Sequence, residues 1–146
     1  MISPVASGDE ADARGPCLER IEALKKGLAM NLYAFDVDDT LEISNGPVRL
    51  VDLQALRNSG HIVGLCGNWG LFTRSVRNWY EHVSFIGPMR LTKADYLIEL
   101  RTYVCAESYV MVGNDPRIFG ASDDATAARE AGFRFIREFE FAEGMR

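Results

Sequence analysis

From Leu32 onward, short apolar runs alternate with segments whose apolar residues recur at helical spacing. The runs are Leu32–Phe35, His61–Leu65, Val83–Ile86, Tyr109–Val112 and Phe133–Ile136. Each is short enough for a buried strand. Between them, Val48–Asn58 carries Val48, Val51, Leu53 and Leu56 and stops at Ser59-Gly60. Leu71–Tyr80 is a less regular helical pattern. Thr92–Val104 opens with a Thr-x-x-Asp cap, Thr92 to Asp95, and carries Tyr96, Leu97, Leu100 and Val104,. Ser122–Ala131 reads as a helix capped by Ser122 and ended by Gly132,. An amphipathic helix is also expected over Pro16–Leu28, from Leu18, Ile21, Leu24 and Leu28, after a loose tail over 1–15,. The chain thus divides into an N-terminal tail and short helix, 1–30, and a core domain, 31–146.

Alternating strands and helices imply parallel pairing through right-handed crossovers, with helices on both faces of the sheet. The expected fold is α/β, three layers around a mostly parallel five-stranded sheet. In such sheets the chemistry gathers at the carboxyl ends of the strands, so the residues that follow each apolar run carry the most information.

Composition narrows this only a little. The 146 residues suit one domain, and 47% apolar with 25% charged residues is ordinary for a globular protein,. A net charge of −5 argues against broad binding to nucleic acid or acidic membranes, though a local basic patch would be compatible with it,. Cys17, Cys66 and Cys105, odd in number and widely spaced, do not suggest a disulfide framework or a zinc site,. No stretch approaches the roughly 18 apolar residues of a membrane helix. The acidic N-terminus lacks the order of a signal peptide. The expected location is cytoplasmic, with no membrane partner.

After the first run comes Asp36-Val37-Asp38-Asp39-Thr40. Alternation along an extended chain points Asp36 and Asp38 the same way. Two neighbouring carboxylates repel unless one is neutralised or a cation lies between them, and Mg²⁺ prefers a few carboxylate oxygens with water and phosphate. The pair is a metal site, an acid/base site, or both. After the second run comes Cys66-Gly67-Asn68, where the glycine would free a backbone N–H for an anion,. Cys66 alone reads as a small buried apolar residue. Lys93 stands in the first turn of a helix, where a cation opposes the helix dipole, and a broken local preference marks a candidate functional residue. After the fourth run come Gly113-Asn114-Asp115 and then Ser122-Asp123-Asp124. Asp123 and Asp124, taken alone, are first-turn acids that complement the dipole. His61 and His82 read as structural.

These residues resemble, in order, the four motifs of the phosphatase branch of the haloacid dehalogenase superfamily. The first is Asp36-Val37-Asp38-Asp39-Thr40, followed by Leu41. Cys66 stands where the family ends its second strand with Ser or Thr. Lys93, in Thr92-Lys93-Ala94-Asp95, matches the lysine before a helix. Val112-Gly113-Asn114-Asp115, with Asp124 and the alanine-rich helix after it, resembles the fourth motif. The likeness spans about residues 31–137. Cys66 replaces the usual hydroxyl, and Asp115 and Asp124 stand nine positions apart, more than the family's spacing. The fourth motif therefore has more than one register, with Asn114, Asp115 or Asp124 facing the metal.

The resemblance implies a Rossmann-like domain without a large cap, since neither Thr40–Cys66 nor Asn68–Lys93 has room for one. It implies a Mg²⁺-dependent phosphomonoesterase. Asp36 would be the nucleophile that forms an aspartyl-phosphate, Asp38 the general acid/base, and Lys93 the group that neutralises the phosphorylated aspartate. Cys66, Gly67, Asn68 and Lys93 would meet the phosphoryl group. Mg²⁺ would be held by Asp36, the Asp38 carbonyl and Asp115, with Asn114 or Asp124 in the alternative registers. An open site implies a large phosphorylated substrate or a second copy of the chain as cover. Arg74, Arg77 and Arg90, with Trp69, Trp79 and Tyr80, could grip a phosphorylated sugar, nucleotide or nucleic-acid end. A solvated helix face with aromatic core contacts is the simpler account of them. A receiver domain shares the ingredients, but no acid follows the third run, which ends Ile86-Gly87-Pro88. The competing functions are a low-turnover binding or regulatory protein on this scaffold, and a phosphotransferase.

Overall fold

The computed structural model describes residues 30–114 and 123–146. The expected tail and helix before residue 30, Asp115 and the expected cap Ser122 lie outside the described residues. The rest forms an α/β fold with one parallel sheet of four strands and five helices. The strands are β1 (Asn31–Phe35), β2 (Ile62–Leu65), β3 (Ser108–Gly113) and β4 (Arg134–Arg137), in the order β2-β1-β3-β4. The helices are α1 (Leu50–Asn58), α2 (Trp69–Ser75), α3 (Lys93–Tyr103), α4 (Asp124–Ala131) and α5 (Glu138–Ala142).

Every strand pair is parallel, so the carboxyl ends lie along one edge. Phe35 pairs with Leu65 on one side and Val112 on the other. The ladder continues one step, with Asp36 N–H donating to Val112 O (2.9 Å) and Cys66 N–H to Phe35 O (2.8 Å). Asp36, Cys66 and Gly113 are thereby brought side by side at that edge.

Alternation along β1 sends Tyr33 and Phe35 into one apolar layer and Leu32 and Ala34 into the other. The first layer holds Leu53 and Leu56 of α1, Phe72 of α2 and Phe141 of α5. Phe141 meets Phe35 edge-on at 5.1 Å. The second layer holds Leu97 of α3 with Ala128 and Ala131 of α4. Small alanines let α4 lie close to the sheet.

Three expectations are corrected. The run Val83–Ile86 is not a fifth strand. It touches β2 at one parallel bridge, Gly64 to Phe85, with Ser84 N–H to Val63 O at 2.7 Å and Leu65 N–H to Phe85 O at 3.0 Å. It stops at Gly87-Pro88, a cis peptide, where proline has no N–H to extend a ladder,. The pattern over Leu71–Tyr80 is two pieces: α2, then a separate 3-10 turn at Trp79–Glu81, because Val76 adopts extended backbone and turns inward. Helix α4 is capped by Asp123, whose carboxylate accepts from Thr126 N–H at 3.1 Å. Gly132 ends it in the left-handed region, as expected. Helix α5 lacks helical spacing in Glu138-Phe139-Glu140-Phe141. Burial of Phe141 and the Glu140 carboxylate accepting from Arg137 N–H (3.2 Å) fix that turn.

The odd cysteine count gave no reason to expect a disulfide, yet Cys105 is disulfide-bonded, while Cys66 is free and buried. Among the described residues no helix is long and apolar enough to cross a membrane.

The expected cap of α3 forms: Thr92 Oγ1 accepts from Asp95 N–H at 3.1 Å. This cap fixes the turn that carries Lys93. Thr92→Ala is expected to lower stability by about 1 kcal/mol and Thr92→Ser to restore it. Urea unfolding measures both, and an unchanged midpoint in Thr92→Ala would show that the cap contributes nothing.

Candidate functional site

The site begins where β1 ends. Asp36 is 2% exposed, and both its oxygens are taken. Oδ1 accepts from Lys93 Nζ at 2.8 Å. Oδ2 accepts from Asn114 Nδ2 at 2.8 Å, with Thr40 Oγ1 at 3.4 Å. Lys93, the first residue of α3, also donates to Asp124 Oδ1 at 2.7 Å. Asp124 is fully buried, and its Oδ2 accepts from Asn114 N–H at 2.9 Å. One ammonium thus bridges two carboxylates carried by different elements. This resolves the apparent misplacement of a lysine at a helix start, because two anions offset the dipole.

Burial and the Asp124 carboxylate push Asp36 up to about 7, despite the opposing pull of Lys93. Burial alone would push Lys93 down, but Asp36 and Asp124 outweigh it and hold the ammonium above its ordinary range. Lys93 therefore stays charged throughout the neutral range.

The chain then turns sharply. Asp39 takes positive φ (59°), a conformation that aspartate tolerates,. Thr40 and Leu41 N–H both donate to Val37 O at 3.1 Å. The turn folds buried Thr40 back beneath Asp36 and leaves Asp38 and Asp39 exposed at the rim. The Asp38 carboxylate is held by Asn68 Nδ2 at 3.1 Å and Ser44 Oγ at 3.4 Å. The Asn68 Oδ1 caps α2 by accepting from Leu71 N–H at 3.2 Å.

Gly67 and Gly113 act through space. A Cβ on Gly67 would overlap Asp36 Oδ1, and one on Gly113 would overlap the Asp124 carboxylate. The Gly67 N–H does not serve an anion. It donates to Gly87 O at 2.9 Å, which corrects that reading. Cys66 lies in the second apolar layer, and burial pushes its thiol up to about 12, so it stays protonated. The aromatic residues near the arginines have structural contacts. Trp69 Nε1 donates to Pro88 O (2.9 Å), and Trp69 and Trp79 pack on the core. Arg74 reaches Gly70 O at 3.4 Å, while Arg77 and Arg90 are exposed. His61 is structural, its Nδ1 accepting from Asn31 N–H at 3.0 Å.

Asp36, Asp38, Lys93, Asn68, Asn114 and Asp124 therefore converge, and Asp115 lies outside the described residues. Sequence reasoning undervalued Asp124 and gave Thr40 no role beyond its place in the motif.

Among the described residues no three His, Cys, Asp or Glu side chains gather to hold a metal. An oxygen set nevertheless exists if the Asn114 amide contributes. Its Nδ2 lies 2.8 Å from Asp36 Oδ2 and 2.9 Å from the Asp38 carbonyl oxygen. Adjacent oxygens around octahedral Mg²⁺, at radius ~2.1 Å, stand ~3.0 Å apart. With the amide reversed, Asn114 Oδ1 would stand at such a spacing from both Asp36 Oδ2 and the Asp38 carbonyl, so these residues could hold such a cation.

Compared with protein-family models, with curated proteins and with solved structures, the chain gives no match in any of the three.

In metal-free protein the folded state holds the Asp36 proton up to about pH 7, where the unfolded chain has already lost it. Stability from this group is complete below the ordinary carboxylate range and is lost as pH rises through about 7,. In EDTA, wild type should gain on Asp36→Asn by up to about 1.4 kcal/mol per pH unit as pH falls from about 7 to about 5,. A wild-type-minus-variant difference that stays flat in urea unfolding across that range would contradict the assignment.

Proposed function

We propose that this chain is a Mg²⁺-dependent phosphohydrolase of haloacid dehalogenase type, on a Rossmann-like scaffold without a large cap. One observation carries the reading: a buried strand-end carboxylate, Asp36, is 2.8 Å from a permanently charged lysine, with a second carboxylate, Asp38, exposed two residues on. Phosphoryl transfer asks a protein for positioning and charge compensation above all, and these groups supply both.

In this reading Asp36 attacks the phosphorus and the phosphoryl group is transferred to its carboxylate. Asp38, at the open rim, gives a proton to the leaving oxygen and later takes one from the attacking water. Asn68 and Ser44 hold the Asp38 carboxylate for both steps. Lys93 stays cationic beside the phosphorylated aspartate, with Asp124 fixing its ammonium. Asp36, the Asp38 carbonyl and Asn114 would hold Mg²⁺, which supplies positive charge against the incoming phosphate. That charge is needed, since the site otherwise sets three carboxylates against one ammonium. Cys66, buried and protonated, offers the phosphoryl group at most a weak thiol donor,.

Nothing of cap size stands between Thr40 and Lys93, so the substrate is large or a second copy covers the opening. The exposed Met89 and Leu91, on the segment that leads into Lys93, support a covering surface.

Phosphate release from an aryl phosphate tests the proposal. Wild type with Mg²⁺ should turn over, EDTA should abolish turnover, and Asp36→Asn should show none. Asp38→Asn should lose roughly 10²- to 10⁴-fold. Turnover that survives Asp36→Asn would refute the nucleophile. A wild type that binds a phosphate analogue at Asp36 but never turns over would favour a binding protein on the same scaffold.

A further inference from the structure

The Asn114 amide is oriented by its neighbours. Nδ2 faces two acceptors, Asp36 Oδ2 and the Asp38 carbonyl, at 2.8 and 2.9 Å. Oδ1 faces a donor, the Thr40 hydroxyl, at 3.1 Å. With Asp36 ionised and no cation bound, reversing the amide would set an oxygen against two acceptors, so the network favours the orientation seen,.

We infer, resting on the phosphohydrolase reading, that Asn114 is a reversible amide latch that sets how tightly the site holds its divalent cation. In the metal-free protein the NH₂ group stands in for the cation, satisfying the two oxygens that would ligate it. A cation enters only as the amide turns over and offers Oδ1. Thr40 can serve either orientation because a hydroxyl both donates and accepts. It now donates to Asn114 Oδ1. After reversal it accepts from Nδ2 and turns its hydrogen to Asp36 Oδ2, already 3.4 Å away. The latch has two consequences. The cation gains an uncharged ligand where a carboxylate would bind it more strongly, and its binding must displace two internal hydrogen bonds. An aspartate at this position would reverse both effects, adding a charge for the cation and setting three oxygens together in its absence.

The test compares wild type with Asn114→Asp, using Mg²⁺ alone as the probe. Calorimetric titration should show Asn114→Asp binding Mg²⁺ about ten-fold more tightly or better. Thermal unfolding in EDTA should show that variant melting below wild type, and saturating Mg²⁺ should reverse the order. In wild type, the Asn114 side-chain NH₂ resonances should be protected from exchange in EDTA, and Mg²⁺ should shift them and remove the protection. These resonances carry the test if Asn114→Asp does not fold. Equal or weaker Mg²⁺ affinity in the variant, equal melting in EDTA, or amide resonances indifferent to Mg²⁺ would overturn the latch. If wild type binds Mg²⁺ with the expected change at the amide but releases no phosphate from any phosphoester, the latch stands and the phosphohydrolase reading falls. If wild type shows Mg²⁺-dependent turnover but the variant's affinity is unchanged, the reading stands and the latch falls. Mg²⁺ binding by neither protein overturns both.

Discussion

The site depends on one ammonium held between two buried carboxylates. Asp36 and Asp124 are at most 2% exposed, and burying two anions together is strongly unfavourable unless a cation lies within reach,. Lys93 supplies it at 2.8 and 2.7 Å. The contact ties the end of β1 to the starts of α3 and α4, which are far apart in the chain. Compensation is partial, since Asp36 remains well above the ordinary carboxylate range. A pair tuned for stability alone would have no use for a buried carboxylate held near neutrality. Under the proposed function, it leaves room for the further positive charge of a bound cation.

The main lines of this arrangement were legible in the sequence. Parallel order followed from alternating runs and helical patterns, and it put Asp36 at a strand end and Lys93 at a helix start. Lys93 broke a local preference and Asp36 stood beside a second carboxylate, which made both visible. Asp124 was hidden because a first-turn acid already has an adequate electrostatic reason to be there. Its burial, which distinguishes it from Asp123, is a tertiary fact set by the approach of α4 to the sheet. The fifth strand failed for a related reason. Val83–Ile86 has strand composition, but whether an edge segment forms a ladder depends on its neighbours, and this one makes a single bridge to β2. Gly67 showed the opposite error. The glycine was noticed, but its purpose is to make room for Asp36 Oδ1, while its N–H is already used by Gly87.

Asn114 keeps a further carboxylate out of this edge. With aspartate there, the edge would hold four carboxylates around one lysine, and the empty site would be strongly repulsive. The amide lets the same positions be internally satisfied, each hydrogen of Nδ2 meeting an oxygen. Under the proposed function, an amide here links folding to metal uptake less tightly than a carboxylate would.

The two aspartates two residues apart also show how one short segment sets like residues in unlike surroundings. Asp36 sits on the last step of the β1 ladder, buried and shifted upward. Asp38 lies beyond the sharp turn at Asp39, in contact with solvent. Environment alone separates them, because the residue type is the same. Under the proposed function, a buried carboxylate fixed by three side chains suits attack on a positioned centre, whereas proton traffic needs a group in contact with water. Asn68 connects Asp38 to the start of α2, using one end of its amide on the carboxylate and the other on the helix cap. The rim group is thereby open to water but fixed in place, as the proton-transfer role proposed for it would require,.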